Sequence, residues 1–331
     1  MYYESYHKKP KRRGGRPERD LGEWLTQSAI KCLALALALI VLCAALLYAL
    51  PPGLFLVEPA SGHLSLTDGL PSSHVNILLL GADVKHQGAQ RSDTIMIASI
   101  GYGQFKLTSV MRDVLVEIPG HGRQKLNAAY AYGGPELVMR TLNESFGLNI
   151  MHYAQVDFVS LVQIIDAIGG VDVKVTEAER VLINQTVKSS GRVFAPLGYT
   201  ARELTESGDS VHLDGLQALA YARIRKLDSD YMRTSRQRAL VRAVVARVRG
   251  NLWNPVLLWR LTRAVFDAAK TNMSIVQLLS LGEKALMAGE VEQLRLPVDG
   301  SFTDNGSSLV IESRNANRDA FIRFVYGSGS R

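Results

Sequence analysis

With 331 residues, of which 47% are hydrophobic and 21% charged, the chain is long enough for a sizeable core and too apolar to be broadly disordered. The formal charge of +7 is not a nucleic-acid signature, because the excess is local: residues 1–31 hold eight Lys/Arg against four acids, and the body is only mildly basic. Both cysteines, Cys32 and Cys43, fall in one apolar run, which excludes a disulfide framework or a Cys-based metal site elsewhere.

From Cys32 to Leu50 every residue is apolar or Tyr, with Lys31 before the run and Pro51-Pro52-Gly53 after it. Such a run, at ~1.5 Å rise per residue, covers roughly the hydrocarbon thickness of a bilayer. A cleaved signal peptide would have a shorter apolar region and a small-x-small site. This run ends in Tyr48-Ala49-Leu50-Pro51, which predicts an uncleaved anchor. Eight Lys/Arg precede it and the next follows only at Lys85, so the positive-inside rule puts the N-terminus in the cytoplasm and residues 51–331 outside. The predicted layout is a basic cytoplasmic tail (1–31), a transmembrane signal anchor (32–50), a linker rich in turn formers (51–74) and one extracytoplasmic domain (75–331).

Within that domain, Val75-Asn76-Ile77-Leu78-Leu79-Leu80-Gly81 is a near-continuous apolar run, as in a strand buried on both faces. Residues 94–100, 105–110 and 114–118 read as further strands. Residues 135–146 have helical spacing, with Pro135 suited to the first turn and Gly147 to the stop. Residues 158–168 form a second helix ended by Gly169-Gly170, and 171–175 alternate as a strand. Residues 184–210 are polar and Gly-rich and read as an excursion or lid. Helices are predicted over 213–222 and 233–249, and 255–288 is mostly helical, with Ser274 as N-cap of 275–287. Late strands at 291–297 and 307–312 and a closing helix over 318–326 complete the series. Alternating strands and helices predict an α/β fold, a three-layer α/β/α domain around a central mixed sheet, with no glycine-rich phosphate loop.

Three clusters carry candidate chemistry. Asp83 follows the first strand, and Arg91-Ser92-Asp93 places Arg91 and Asp93 two apart, on one side of an extended segment. Two carboxylates beside an arginine suit Mg²⁺ bound to phosphate, although a turn aspartate and a surface ion pair would look the same. Arg112-Asp113 ends the 105–110 strand, where a single such pair is ordinarily structural. Arg223, Arg225, Asp230, Arg233 and Gln237 form the third cluster. With a helix starting at Arg233, Gln237 lies one turn on along the same face and Asp230 caps the start. Guanidinium groups grip phosphate oxygens in bidentate fashion. The same helix also carries Arg236, Arg238, Arg242 and Arg247 without an acid. A DNA-recognition helix would look like this, but Leu240, Val241, Val244, Val245 and Val248 predict a core helix with a basic exposed side, suited to anionic headgroups or wall polymer. The seven histidines are scattered, with no metal spacing and no Ser-His-Asp arrangement.

In this order, Asn76-Ile77-Leu78-Leu79-Leu80-Gly81-Ala82-Asp83, Arg91-Ser92-Asp93-Thr94, Ser109-Val110-Met111-Arg112-Asp113, Lys125-Leu126-Asn127-Ala128-Ala129-Tyr130, Val156-Asp157-Phe158, Gly169-Gly170-Val171, the stretch from Leu213-Asp214-Gly215 to Tyr221-Ala222-Arg223-Ile224-Arg225, and Asp230-x-x-Arg233-x-x-x-Gln237 resemble the LytR–CpsA–Psr family of cell-envelope proteins. The likeness covers roughly residues 75–250, behind the same kind of anchor. Met111 departs from it, since the family usually has proline before the Arg-Asp pair. The resemblance implies an enzyme that binds a polyprenyl-pyrophosphate-linked glycan of teichoic acid or capsular type in an apolar tunnel and transfers its glycosyl phosphate to a peptidoglycan hydroxyl, releasing polyprenyl phosphate. By the matching motifs, Asp83 and Asp93 would hold Mg²⁺. Arg91, Arg112, Arg223, Arg225, Arg233 and Gln237 would bind the pyrophosphate, and Asp230 would orient this group or assist deprotonation. The partners implied are that lipid-linked glycan, a peptidoglycan acceptor and membrane lipid, with no nucleic acid. Two alternatives stand beside it: a membrane-anchored transcriptional regulator or attenuator, and a protein that holds lipid-linked glycan without turning it over.

Overall fold

The computed structural model describes residues 64–82, 92–225 and 230–327. The anchor read at 32–50 lies outside them, as do Asp83 and Arg91. Among the described residues no helix is long and apolar enough to cross a membrane.

Strands β1 (Val75–Ala82), β2 (Ser92–Gly101) and β3 (Gln104–Val110) form an antiparallel meander. It is extended by β6 (His152–Val156), parallel to β1, and by β10 (Val291–Leu296), parallel to β3. With β9 (Lys270–Thr271) on the far edge, the six-stranded sheet runs β10-β3-β2-β1-β6-β9 and is mixed. Side chains of successive strand residues point to opposite faces, and the core divides accordingly. Leu78, Leu80, Ile95 and Ile97 pack on one side with Met139, Leu142 and Phe146 of α1 (Asn127–Phe146) and Phe321 and Val325 of α8 (Arg314–Tyr326). Ile77, Met96, Ala98, Ile100 and Leu107 pack on the other with Leu281 of α7 (Ile275–Met287) and with Val241 and Val245 of α5 (Asp230–Arg249). The sheet is therefore covered by helices on both faces.

Alongside lies a second apolar cluster, built from α2 (Phe158–Ala167), the hairpin β7 (Val171–Val175) and β8 (Gly208–Leu213), α3 (Glu177–Phe194), α4 (Gly215–Ala222) and α6 (Pro255–Ala268). A further small sheet is formed by β11 (Phe302–Asp304), β12 (Leu309–Ile311), β4 (Val114–Ile118) and β5 (Gly122–Lys125), whose Val114, Val116, Ile118 and Leu309 join the apolar cluster of α1.

Several sequence expectations need correction. The excursion at 184–210 begins only after Phe194, because α3 runs to that residue. Its start is fixed by a capping box, Thr176 with Glu179, and Ile183, Val187 and Phe194 bury at helical spacing despite the polar residues between them. The predicted helix at 213–222 starts at Gly215, since Asp214 caps it with Gln217, and Leu213 ends β8 instead. The 135–146 helix is longer at its start: α1 begins at Asn127, breaks at Gly133-Gly134 and resumes at Pro135. Likewise α5 begins at Asp230, so this carboxylate sits in the first turn and reaches Arg233 instead of capping from outside.

Most of the predicted basic exposed side of α5 turns inward; of the four arginines Arg242 stays exposed, 3.4 Å from Glu290. Arg236 is buried and pairs with Glu179 of α3 at 2.6 Å. Arg238 donates to Gln293 and Ser109, Arg247 to the carbonyls of Ile168 and Gly169, and Arg249 to those of Ala285 and Gly289. Guanidinium forks let one helix face bond outward-pointing carbonyls of its neighbours, so these charges knit the fold.

A buried polar network joins the ends of the domain. Ser99 Oγ donates to Asn76 Oδ1 at 2.6 Å, and Asn76 Nδ2 donates to Tyr326 Oη at 2.8 Å and Asn149 Oδ1 at 2.6 Å. Lys106 Nζ donates to the carbonyl of Phe324 at 2.6 Å, in the last turn of α8.

Candidate active site

Strand β1 pairs with β2 in regular register until Gly81↔Thr94, after which Ala82 faces Ser92. Asp93 is thus the extra residue of a bulge. A bulge leaves its residue unpaired and re-aims the side chain, and here it also frees the Asp93 carbonyl. Arg233 Nη2 donates to that carbonyl oxygen at 2.6 Å. Arg112 Nη1 lies 2.5 Å from Asp93 Oδ1, and Arg225 Nη2 lies 2.7 Å from Oδ2. Burial pushes the Asp93 carboxyl up, but Arg225 and Arg112 outweigh it and hold the group below the ordinary carboxylate range.

Arg112 sits in the turn between β3 and β4 behind this carboxylate. It also faces Asp113 at 3.3 Å and Asp230 at 3.5 Å, and Lys125 engages Asp113 at 3.0 Å. Burial lowers its pKa, and the three acids more than reverse this, so the net shift is upward. Met111, in the place of the family's proline, is itself anchored: its N–H donates to Leu296 O at 2.9 Å and its side chain is buried.

Arg233 is different. Its side chain is 2% exposed, and burial lowers its pKa, with Arg112 and Arg225 adding to the effect against Asp230 and Asp93. Nη1 is 2.9 Å from Asp230 Oδ1, yet among the described residues neither Nη1 nor Nε has a hydrogen-bond acceptor in line. A buried guanidinium is costly, and this one is held by the Asp93 carbonyl and the Asp230 carboxylate.

Arg233 and Gln237, one turn apart on α5, form the floor of a cleft. Asp93, Arg223 and Arg225 line its polar side; Val156, Phe158, Leu161, Leu219 and Ala222 form the apolar wall. Arg223 stacks on Phe158, 4.5 Å from the ring centroid, at the junction of the two. Phe158 is set by Asp157, which caps α2 by accepting from Ser160 N at 2.7 Å. Close packing of α4 on α2 helps shape the wall: a Cβ on Gly215 would come 2.5 Å from Val162 O.

Of the residues singled out in the sequence, Asp93, Arg223, Arg225, Arg233 and Gln237 converge on this cleft. Arg112 and Asp230 brace it from behind, and Asp83 and Arg91 lie outside the described residues. Spacing and composition alone do not place the apolar wall, which the family resemblance implies as an apolar tunnel; Val156-Asp157-Phe158, with its aromatic ring beside a capping aspartate, is the motif that marks it. For a hard cation, Asp93 offers an ionised carboxylate whose two oxygens already engage guanidinium groups, and its intended companion Asp83 is not described. Among the described residues no group of three or more His, Cys, Asp and Glu is placed to hold a metal.

The chain resembles known proteins over this same region. It is 31% identical over 261 residues to the regulatory protein MsrR of Staphylococcus aureus, covering 76% of this chain and 74% of that one. It is 32% identical over 253 residues to the polyisoprenyl-teichoic acid–peptidoglycan teichoic acid transferase TagU of Enterococcus faecalis, covering 73% and 76%. The fold is shared with TagT. The structure of TagT bound to LI-WTA matches with a TM-score of 0.60 at 22% identity, over 82% of this chain and 96% of that one. TagT with bound octaprenyl pyrophosphate lipid matches with a TM-score of 0.55 at 21% identity, over the same shares. Residues 60–320 match the family model that spans both the sheet and the cleft, and on this the chain belongs to the LytR_cpsA_psr family.

Proposed function

We propose that the protein is a membrane-anchored transferase that moves a glycosyl phosphate from a polyprenyl-pyrophosphate-linked glycopolymer to a hydroxyl of the cell wall. The observation that carries this reading is the convergence of Arg223, Arg225, Arg233 and Gln237 on one cleft that Val156, Phe158, Leu161, Leu219 and Ala222 also line. A lipid pyrophosphate has the matching character, a doubly charged head joined to an apolar chain. The transferase name of TagU and the octaprenyl pyrophosphate bound to TagT support the same class of substrate.

In this scheme Arg233, Arg223 and Arg225 hold the pyrophosphate oxygens, and Gln237 donates beside them. The acceptor hydroxyl oxygen attacks the phosphorus that bears the glycan. The bond from that phosphorus to the bridging oxygen breaks, the hydroxyl proton passes to solvent, and polyprenyl phosphate leaves with the bonding electron pair. Charge on the equatorial and leaving oxygens is met by guanidinium groups already in position, which is the main requirement of phosphoryl transfer. An incoming phosphate competes with Asp93 for Arg225, the most exposed of the pair's arginines. Asp230 Oδ1 faces both Arg112 and Arg233 and orients them; its Oδ2 is buried. Mg²⁺ held by Asp93 and Asp83 would supply further neutralisation of the pyrophosphate. The anchor at 32–50 places the cleft outside the cytoplasm, where the energy arrives in the substrate's own pyrophosphate. The alternative of DNA recognition is weakened by α5, most of whose arginines bond inward.

The deciding experiment is turnover of a polyprenyl-pyrophosphate glycan by the purified full chain. Loss of transfer in Arg233→Ala with retained fold is expected. Full turnover in that variant would end this assignment. A C-terminal reporter active only in the cytoplasm would end the proposed topology.

A further inference from the structure

Helix α6 has two apolar sides. One packs inward: Leu257 is buried, and Leu258 and Leu261 join the cluster of Ile165 and Ile168. The other faces solvent, where Val256, Trp259, Arg260, Arg263 and Phe266 recur at helical spacing, continued by Trp253 ahead of the helix. Trp253 is 98% exposed and Trp259 61%, so neither contributes its apolar area to the core. The helix itself is well defined, with Asn254 capping Leu257 N and Pro255 in its first turn.

Tryptophan with arginine on one exposed face is the composition of a helix lying in a membrane interface, where the ring sits at headgroup depth and the cation meets phosphate. The local charge agrees: residues 253–270 contain Arg260, Arg263 and Lys270 against one acid, Asp267, which is engaged by Arg263 at 3.4 Å. Arg263 also stands over the Trp259 ring, 5.7 Å from its centroid, so the two can be buried together. The tether is short as well. Residues 51–63, between the apolar run and the described domain, reach at most about 45 Å when fully extended.

We propose that the exposed face of α6 docks on the anionic headgroup region of the bilayer, a second membrane contact beside the N-terminal anchor. This rests on the anchoring proposed above. The docking has a use for the cleft. The C-terminal end of α6 is joined to the first turn of α2 by Ser160 Oγ donating to Ala268 O at 3.0 Å. That same turn carries Asp157, Phe158 and Leu161, which line the cleft. A docked α6 holds the apolar wall close to the surface from which a lipid-linked substrate must be drawn.

The test uses the full chain with Trp24→Phe, so that Trp253 and Trp259 are the tryptophans left, incorporated into nanodiscs of phosphatidylglycerol and phosphatidylcholine. The expected result is blue-shifted emission, quenched when the lipids carry bromine on upper acyl carbons. Quenching should fall when phosphatidylglycerol is omitted and in Arg260→Glu/Arg263→Glu, whose melting temperature should match the parent. Chain that enters the discs but shows unshifted, unquenched emission overturns the docking and leaves the anchor intact. Chain that does not enter the discs overturns the anchor, and the docking with it. Blue-shifted emission without bromine quenching, together with a dimer by sedimentation, would assign the face to a second copy and overturn the proposal.

Discussion

Arg233 reaches across from α5 to the main chain of Asp93, not to its carboxylate, with Nη2 2.6 Å from the carbonyl oxygen. The bulge that frees this carbonyl thereby fixes the depth of the guanidinium, while the Asp93 side chain remains for Arg112 and Arg225. One residue is read twice, by backbone and by side chain.

This geometry separates charge from shape. Arg233→Lys keeps the charge but has no planar fork to hold the Asp93 carbonyl and an oxyanion together. Removing one preorganised donor typically costs on the order of 100- to 1000-fold in rate. A loss of that order in kcat/KM is expected for Arg233→Lys, measured on transfer with folded protein. Activity within a few-fold of the parent would contradict it.

Asp93 should also govern acid sensitivity. Its folded pKa is depressed, so its stabilisation is fully present above the unfolded value of 3.8 and is lost as pH falls through the folded one. Asp93→Asn should therefore flatten the decline of the melting temperature below about pH 4. An identical acid limb in parent and variant would show that the arginine cluster does not stabilise this carboxylate.

The ion pair of Arg236 with Glu179 tests structure apart from chemistry. Glu179 closes the capping box of α3 and pairs across to α5 at 2.6 Å with little exposure. Breaking a buried pair from one side typically costs about 3–5 kcal/mol. Glu179→Gln retains an acceptor, so a loss near the lower end is expected by urea denaturation. The folded fraction should keep a near-parental KM, because Glu179 does not line the cleft.

Gly215→Ala probes the apolar wall. The added Cβ would press on Val162 O and force α4 from α2, at a cost of about 1–3 kcal/mol. A lower melting temperature and a raised KM for long-chain substrates, larger than for short-chain ones, are expected. An unchanged ratio would remove the wall from lipid binding.

Chelation bears on the proposed Mg²⁺. EDTA should reduce transfer, with recovery on adding Mg²⁺, and Asp93→Asn should blunt the recovery. Equal rates with and without EDTA would leave the arginines alone responsible for neutralisation.

Much of this architecture is legible in the sequence, and the failures share a cause. The strand at Val75 and the helices ending at Phe146 and Arg249 follow from apolar spacing and stop signals close along the chain. The bulge at Asp93 depends on pairing with a strand that the sequence does not align. The arginines of α5 read as solvent-facing because their partners, Glu179 and the carbonyls of Ile168, Gly169 and Gly289, lie 40 or more residues away. Helix α3 is not read from the sequence because its polar residues and Gly191 suggest an excursion at 184–210, while Ile183, Val187 and Phe194 bury at helical spacing. Convergence of Asp93, Arg225 and Arg233 was foreshadowed by the ordered motifs, but the apolar wall facing them arises only from α2 and α4 packing together.

Asn76 and Lys106 lie in the first and third strands, yet their partners Tyr326, Phe324 and Val325 belong to the last helix. The contacts to α8 span more than 200 residues of chain. Asn76 is also held by Ser99 and Asn149, whereas the Lys106 ammonium depends on the α8 carbonyls for its hydrogen bonds. Helix α8 therefore completes the polar layer of the central sheet by supplying the partners that strands β1 and β3 cannot find within their own half of the domain.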